Sequence, residues 1–262
     1  MTLTSRVATH VPDRVLSTVI CLVYRRAEPE LGHLDEICGR GGIMIDVGAW
    51  YGPWSQRLAH RADRLLALEP TARHHVLRQT LPANAEVVHA AASDRRGSGQ
   101  LWTTGTGDGA EGLASIVRRD IHSTATEVSL VRIDDLGLSG VTFIKIDVEG
   151  HELAVLRGAA DTIRADRPRL LLEVETRMQR IDDLLGILSS WGYRGWVLRH
   201  RTWLPLAEFD LAQHQAMTLR TANRGLFRRL LWPYPRYLNS VLFTPGEAAK
   251  PGLRLSRGVT PT

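Results

Sequence analysis

Apolar and polar positions change their period repeatedly between Ile43 and Val174, and each change marks an element. The compact apolar runs Ile43–Val47 and Leu65–Leu68 predict buried strands, separated by a helix over Trp54–Arg64 that sets Leu58 and Ala62 on one face. Thr71 supplies an N-cap for a helix through Arg78, Pro82 breaks the chain, and Val87–Ala92 reads as a third strand. Val141–Asp147 is the fourth. The helix after it places Leu153, Leu156, Ala160 and Ile163 at intervals of three and four before Pro168, with Gly158 allowing close packing. Leu170–Val174, Gly195–Leu198 and Asn239–Phe243 complete seven strands, and Ile181, Leu184, Leu185 and Leu188 mark a further helix. Strands alternating with helices predict an α/β fold, a Rossmann-like, mostly parallel sheet with helices on both faces.

Other segments break that rhythm. From Arg95 to Gly140 short alternating runs, Gln100–Thr104 and Val128–Ile133, surround a loose loop at Gly105–Gly112 and predict an antiparallel insertion. Arg199–Tyr237 mixes arginines with Trp203, Phe227, Trp232, Tyr234 and Tyr237 at weak periodicity, which suits a substrate cap. Gly246–Thr262 has few apolar groups and reads as a flexible tail. Residues 1–40 form a helical extension before the domain at 41–245. Within it Glu30–Cys38 is a short helix, and the run Val15–Val23 falls short of the roughly 20 residues that span a bilayer. That run reads as an amphipathic helix against the main domain.

A length of 262 residues, 44% hydrophobic and 23% charged, fits one soluble domain with extensions. Cys21 and Cys38 match no metal or redox spacing, which points to a reducing, cytoplasmic setting. The net charge of +5 is uneven: from Arg194 onward the balance is +8, leaving −3 for the rest. Such a basic half attracts an anionic substrate, nucleic acid or a membrane surface, or is simply a solvated face; no nucleic-acid module accompanies it. Among 33 basic side chains only Lys145 and Lys250 are lysines, so Lys145, inside a buried strand, has a role of its own. A pair with Glu173 on the neighbouring strand is expected.

Chemistry gathers at the predicted strand ends, where open α/β sheets bind ligands. The motif Ile45–Gly52 (IDVGAWYG) follows a strand and precedes a helix, and Gly48 and Gly52 let the backbone approach a ligand closely, with Tyr51 between them. Its glycine spacing is not that of a pyrophosphate cradle, and Asp46 beside it suits a cationic amino group. Glu69, ending the second strand, can accept both hydroxyls of a ribose. Ala92, Ser93 and Asp94 leave room for an adenine edge and can bond its exocyclic nitrogen. In Phe143–Ala159, Asp147 ends a strand and Glu149, His151 and Glu152 crowd the next turn.

Together these pieces resemble an S-adenosyl-methionine-dependent methyltransferase of class I. The block KIDVEGHELAVLRGA with PRLLLEVE, DVGAWYG, ALEP, AASD and VRIDDL is similar to the FkbM family, over about Ile43–Glu175, with a weaker echo in Asn239–Pro245. The resemblance implies S-adenosyl-methionine as donor and methyl transfer to a hydroxyl of a natural product, sugar or glycolipid. It also implies Asp46, Gly48, Tyr51, Gly52, Glu69, Ala92, Ser93, Asp94 and Asp147 as cofactor residues. The family commonly carries Asn where this chain has Trp50. Asp147, Glu149 and His151 are the candidates for the base that takes the hydroxyl proton. Asp147, Glu149 and Glu173 also form a set of hard oxygen donors for magnesium, although no metal is the favoured reading. The acceptor is expected to be a small molecule, with no nucleic acid partner and with peripheral membrane contact open. The competing classes are a nicotinamide-dependent oxidoreductase and a non-enzymatic module binding nucleic acid or anionic lipid.

Overall fold

In the computed structural model, which describes residues 12–104, 114–120, 122–178, 181–222, 236–246 and 251, the apolar run after Gly42 forms an interior strand of a large sheet. This strand, β1 (Ile43–Val47), pairs in parallel with β2 (Arg64–Leu68) on one side and with β7 (Val141–Ile146) on the other. Outward from β2 lies β3 (Ala85–Val88); outward from β7 lie β8 (Arg169–Glu173), β11 (Ser240–Pro245), β9 (Tyr193–Arg199) and β10 (Thr202–Pro205). Strand β11 is antiparallel to both its neighbours, and β10 is antiparallel to β9. All seven predicted core strands are present. The eighth, β10, comes from the segment expected to be a cap, where Trp203 and Leu204 continue the sheet by pairing with Leu198 and Val197.

Side chains alternate across the sheet, and both faces are covered, as a parallel sheet requires. Ile45, Ile144, Ile146, Leu170 and Leu172 pack with Val155, Leu156, Leu184 and Leu188 on one face. On the other, Met44, Phe143 and Leu171 pack with Ile37, Trp54 and Leu58. Asp46, Lys145 and Asp147 have the same parity as Met44 and Phe143, so a line of charge follows a line of core residues on that second face. The helices responsible are α3 (Pro53–Ala59) on the second face and α5 (Glu152–Gly158), α6 (Ala160–Asp166) and α7 (Ile181–Ser190) on the first.

The third predicted strand divides. After β3 the chain turns through His89 and Ala90, and β4 (Ala91–Ala92) joins a separate sheet with β6 (Thr124–Val131) and β5 (Gly97–Thr103). The β5–β6 pair is the predicted antiparallel insertion; the loop expected at Gly105–Gly112 lies outside the described residues, as do most of the tail and residues 223–235 of the cap segment. Expected single helices are shorter or split. The one over Trp54–Arg64 ends at Ala59, the one from Thr71 starts at His74 as α4 (His74–Thr80), and Ala159 separates α5 from α6. Glu30–Cys38 contains a 3-10 turn (Pro29–Gly32) and α2 (Leu34–Ile37).

Ahead of the domain, α1 (Asp13–Val23) lies across the turn after β1: Ser17 Oγ donates 2.8 Å to the carbonyl of Tyr51, and Arg57 donates 2.9 Å to that of Cys21. At the other end α8 (Leu211–Ala222) brings in Gln215, buried, whose amide nitrogen donates to the carbonyls of Val174 and Leu238 and whose oxygen accepts from the Thr176 backbone. That side chain ties the end of β8 to the segment leading into β11.

Candidate functional site

The site lies at the carboxyl ends of β1, β2, β7 and β8, where parallel register brings Val47, Leu68, Ile146 and Leu172 level. Gly48 has φ +81, and a Cβ there would collide with the carbonyl oxygen of Asp147, so only glycine lets the ends of β1 and β7 pass. Gly52, at φ +83, starts α3 with Pro53 at its first turn. The loop's amides are largely bonded within the protein: Gly48 and Ala49 donate to Leu68 O at 3.0 and 3.1 Å, and Trp50 donates to Glu69 Oε2 at 2.8 Å. Pro53 removes another donor. Such a loop makes a poor phosphate nest, and the carboxylates of Asp46 and Glu69 flank it.

Glu69 is buried and receives the Trp50 amide on one oxygen and the Thr71 amide, at 2.9 Å, on the other. Each oxygen keeps a lone pair for a further donor. Burial pushes its carboxyl up, while the Thr71 and Trp50 bonds oppose the shift. Asp46 is wholly buried, with Oδ2 accepting 2.5 Å from Ser55 Oγ, Oδ1 3.9 Å from Lys145 Nζ and no hydrogen bond to Oδ1. Its carboxylate faces the protein's own cation. Tyr51 is buried beneath α1, with the Arg73 guanidinium 4.5 Å above its ring.

Trp50 stands at φ +51, a left-handed conformation that Asn tolerates better than an aromatic residue. Its ring lies 5.7 Å from Tyr24 of the N-terminal extension and 5.0 Å from Tyr51. Its indole N–H is buried without a hydrogen-bond partner, so packing replaces the polar contact that Asn would make.

Lys145 departs from expectation. Its Nζ sits 2.9 Å from Asp147 Oδ2, and no ion pair with Glu173 forms among the described residues. Register explains this: Lys145 is level with Leu171, which puts Glu173 further along toward the sheet edge, while Asp147 shares the face of Lys145. Glu173 instead accepts from Asn239 Nδ2.

Beyond Asp147 the turn is tightly held. Glu149 adopts φ +53, an unusual conformation for a non-glycine residue, and its carbonyl accepts from Ser115 Oγ at 2.8 Å and from Arg119, both from the insertion. Glu152 reaches back to the amides of Gly150 and Val148 at 3.0 and 3.3 Å. Carboxylate oxygens of Asp147, Glu149 and Glu173 lie within 4.8 Å of one another. Burial, then Asp147, Glu175 and Glu152, pushes the Glu149 carboxyl up to about 8; burial and the Asp147 charge raise Glu173 well above the carboxylate range. Burial also takes Glu152 up to about 7. These groups titrate as a set, because carboxylates this close cannot all ionise freely.

His151 goes elsewhere. Its Nε2 is 3.0 Å from Ser93 Oγ, at the end of β4, and burial lowers its pKa. Ala92 and Ser93 are buried, Asp94 is exposed, and Gly158 allows α5 to press against the Ser93 carbonyl. The histidine thus bonds to the Ala92–Asp94 corner, whereas Asp147 and Glu149 lie together with Glu173.

The profile described as Methyltransferase FkbM domain matches residues 46–194, more than half of the chain. The chain belongs to the FkbM methyltransferase family. Among solved structures, a methyltransferase FkbM from Methylobacillus flagellatus KT is 19% identical, with 78% of this chain and 43% of that chain covered, at a TM-score of 0.47. A precorrin 8w decarboxylase from Methanobacterium thermoautotrophicum is 13% identical over 87% of this chain and 89% of that one, TM-score 0.40. A putative methyltransferase from Streptococcus mutans in complex with SAH is 11% identical over 68% and 92%, TM-score 0.39. The FkbM-family chain thus spans less than half the length of the first of these, and no curated protein matches it.

The candidate site includes groups that strand patterns did not announce. Tyr24 and Glu28 come from the extension, Glu28 accepting from the Trp54 indole and lying close enough to Lys145 and Asp147 to feel both charges. Glu175 accepts from Tyr237 OH at 2.5 Å and from Arg177 at 3.2 Å. The IDVEGHE and LLLEVE acids were visible in the sequence as strand-end carboxylates; Glu28, which precedes a 3-10 turn, had no such signal.

Proposed function

We propose that this FkbM-family protein transfers a methyl group from S-adenosyl-methionine to a hydroxyl of a small-molecule acceptor. The observation that carries this reading is a glycine turn with its amides already bonded, bracketed by carboxylates, beside a crowded set of acids. Glu69 would take the ribose hydroxyls, Gly48 and Gly52 would let the turn meet the cofactor, and Ala92, Ser93 and Asp94 would border the adenine. Asp46 would contribute through Ser55 and Lys145, shaping the turn from beneath. The turn's bonded amides weigh against a nicotinamide dinucleotide, which needs a pyrophosphate cradle.

S-adenosyl-methionine would supply an electrophilic methyl on a sulfonium and leave as the neutral thioether. On the protein side, Glu149 would take the hydroxyl proton as the new carbon–oxygen bond forms, its raised carboxyl being matched to a base working near neutral pH. Asp147, paired with Lys145, would orient the hydroxyl or the cofactor ammonium. His151 would steady Ser93. The acidic edge suits a neutral hydroxyl on a sugar, natural product or glycolipid better than a phosphorylated one.

A second reading places magnesium among Asp147, Glu149 and Glu173, because their oxygens are close enough to share one hard cation. Labelled methyl donor, cell extract and mass spectrometry test both. Label in a methoxy group, unaffected by a chelator, supports the metal-free reading. Label that is lost with chelator and restored by magnesium supports the second, and label only on nitrogen or carbon overturns O-methylation.

A further inference from the structure

Helix α1 carries two apolar faces, and only one is used. Leu16 and Ile20 face inward with Tyr51 and Val76, helped by Ser17 and by Cys21, whose Sγ lies 3.7 Å from the Tyr51 carbonyl. At about 100° per residue, Val15, Val19 and Leu22 fall within roughly 60° of arc on the opposite side. They are 51%, 49% and 73% exposed, three of the five large apolar side chains exposed among the described residues. Bonds from both sides fix this orientation: Arg57 holds the Cys21 carbonyl, and Arg14 donates to Gln79 on α4 at 2.6 Å. The helix cannot roll to hide the stripe without breaking them.

The charges around the stripe say what would cover it. Arg14, Arg25 and Arg26 are exposed beside it, and residues 1–27 hold four arginines against a single carboxylate, Asp13. We propose that the outer face of α1 docks on an anionic lipid surface, with Val15, Val19 and Leu22 entering the headgroup boundary and the arginines meeting lipid phosphates. An 11-residue helix with one outward apolar stripe and basic flanks is built to lie in that plane. No helix among the described residues is long and apolar enough to cross a membrane. A second copy is the poorer occupant, because a two-fold pairing through this stripe would set arginines against arginines. The inner face of the same helix holds the Tyr51 carbonyl, so docking would hold the glycine turn close to the lipid surface. This inference stands independently of the acceptor's identity.

Sedimentation of the full chain with vesicles is the test, using phosphatidylcholine alone and phosphatidylcholine mixed with phosphatidylglycerol. Binding to the mixed vesicles, weakened at least about tenfold by Val19→Glu with Leu22→Glu, is expected. Arg25→Glu with Arg26→Glu should remove the preference for the anionic mixture. Both variants change exposed side chains, and unaltered thermal melting would show that the fold is kept. Absence of binding to mixed vesicles by the parent chain, or equal binding by parent and the folded Val19→Glu, Leu22→Glu variant, overturns the proposal. So does a parent dimer that this variant dissociates, with no vesicle binding by either.

Discussion

The two halves of the carboxyl edge are built on different principles. Around Gly48, Glu69 and Ser93 the backbone does the work: amides are bonded, carboxylates accept, and a glycine admits a passing carbonyl. Around Asp147, Glu149 and Glu173 acids crowd one another, and Glu149 takes an unfavourable φ held by bonds from the insertion. The first arrangement is held together by hydrogen bonds within the protein. The second crowds like charges, a repulsion that a proton or a cation relieves.

Replacing the backbone device should do the greatest damage. Gly48→Ala puts a methyl into the Asp147 carbonyl at φ +81, and a loss of about 3 kcal/mol or more is expected in denaturant melts. Gly140→Ala is the control, since φ is +76 but nothing lies within 4 Å; it should cost only about 1 kcal/mol. Equal losses would mean that the β1–β7 approach is looser than described.

Glu149→Gln probes the other half. Turnover should fall about 100-fold or more, and the rise in rate through about pH 8 should disappear. Stability carries its own sign. The folded carboxyl binds its proton up to about 8 against an ordinary value of 4.5, so its contribution is complete below 4.5 and is lost as pH climbs through 8. The variant should therefore melt higher than the parent above pH 8, with the difference shrinking toward acid. A variant that keeps the parent's pH profile would move the base elsewhere in the cluster.

These contrasts also explain how much the chain disclosed. Period and turn chemistry located all seven predicted core strands, and the glycine turn and Glu69 fell at their ends, because local pattern determines both. The partner of Lys145 was misread because register, a property of two strands, selects Asp147 over Glu173. Thr202–Pro205 looked like cap because a four-residue edge strand with only Trp203 buried carries little periodicity. His151 read as a base by its sequence position, and only the approach of α5 to β4 reveals its bond to Ser93.

That bond sets the smallest expected effect. His151→Ala should lower turnover less than about tenfold and leave the alkaline limb of the pH profile unchanged, since in the proposed reading the imidazole supports the Ser93 corner and Glu149 is the base. Loss of that limb, read from steady-state rates across pH, would return His151 to the base cluster.

Calorimetric titration of S-adenosyl-homocysteine into the intact protein tests the central claim most directly. Saturable one-to-one binding is expected, weakened about tenfold or more by Glu69→Ala in a chain that still melts cooperatively. No binding by the parent, or unchanged affinity in the folded Glu69→Ala protein, would contradict it.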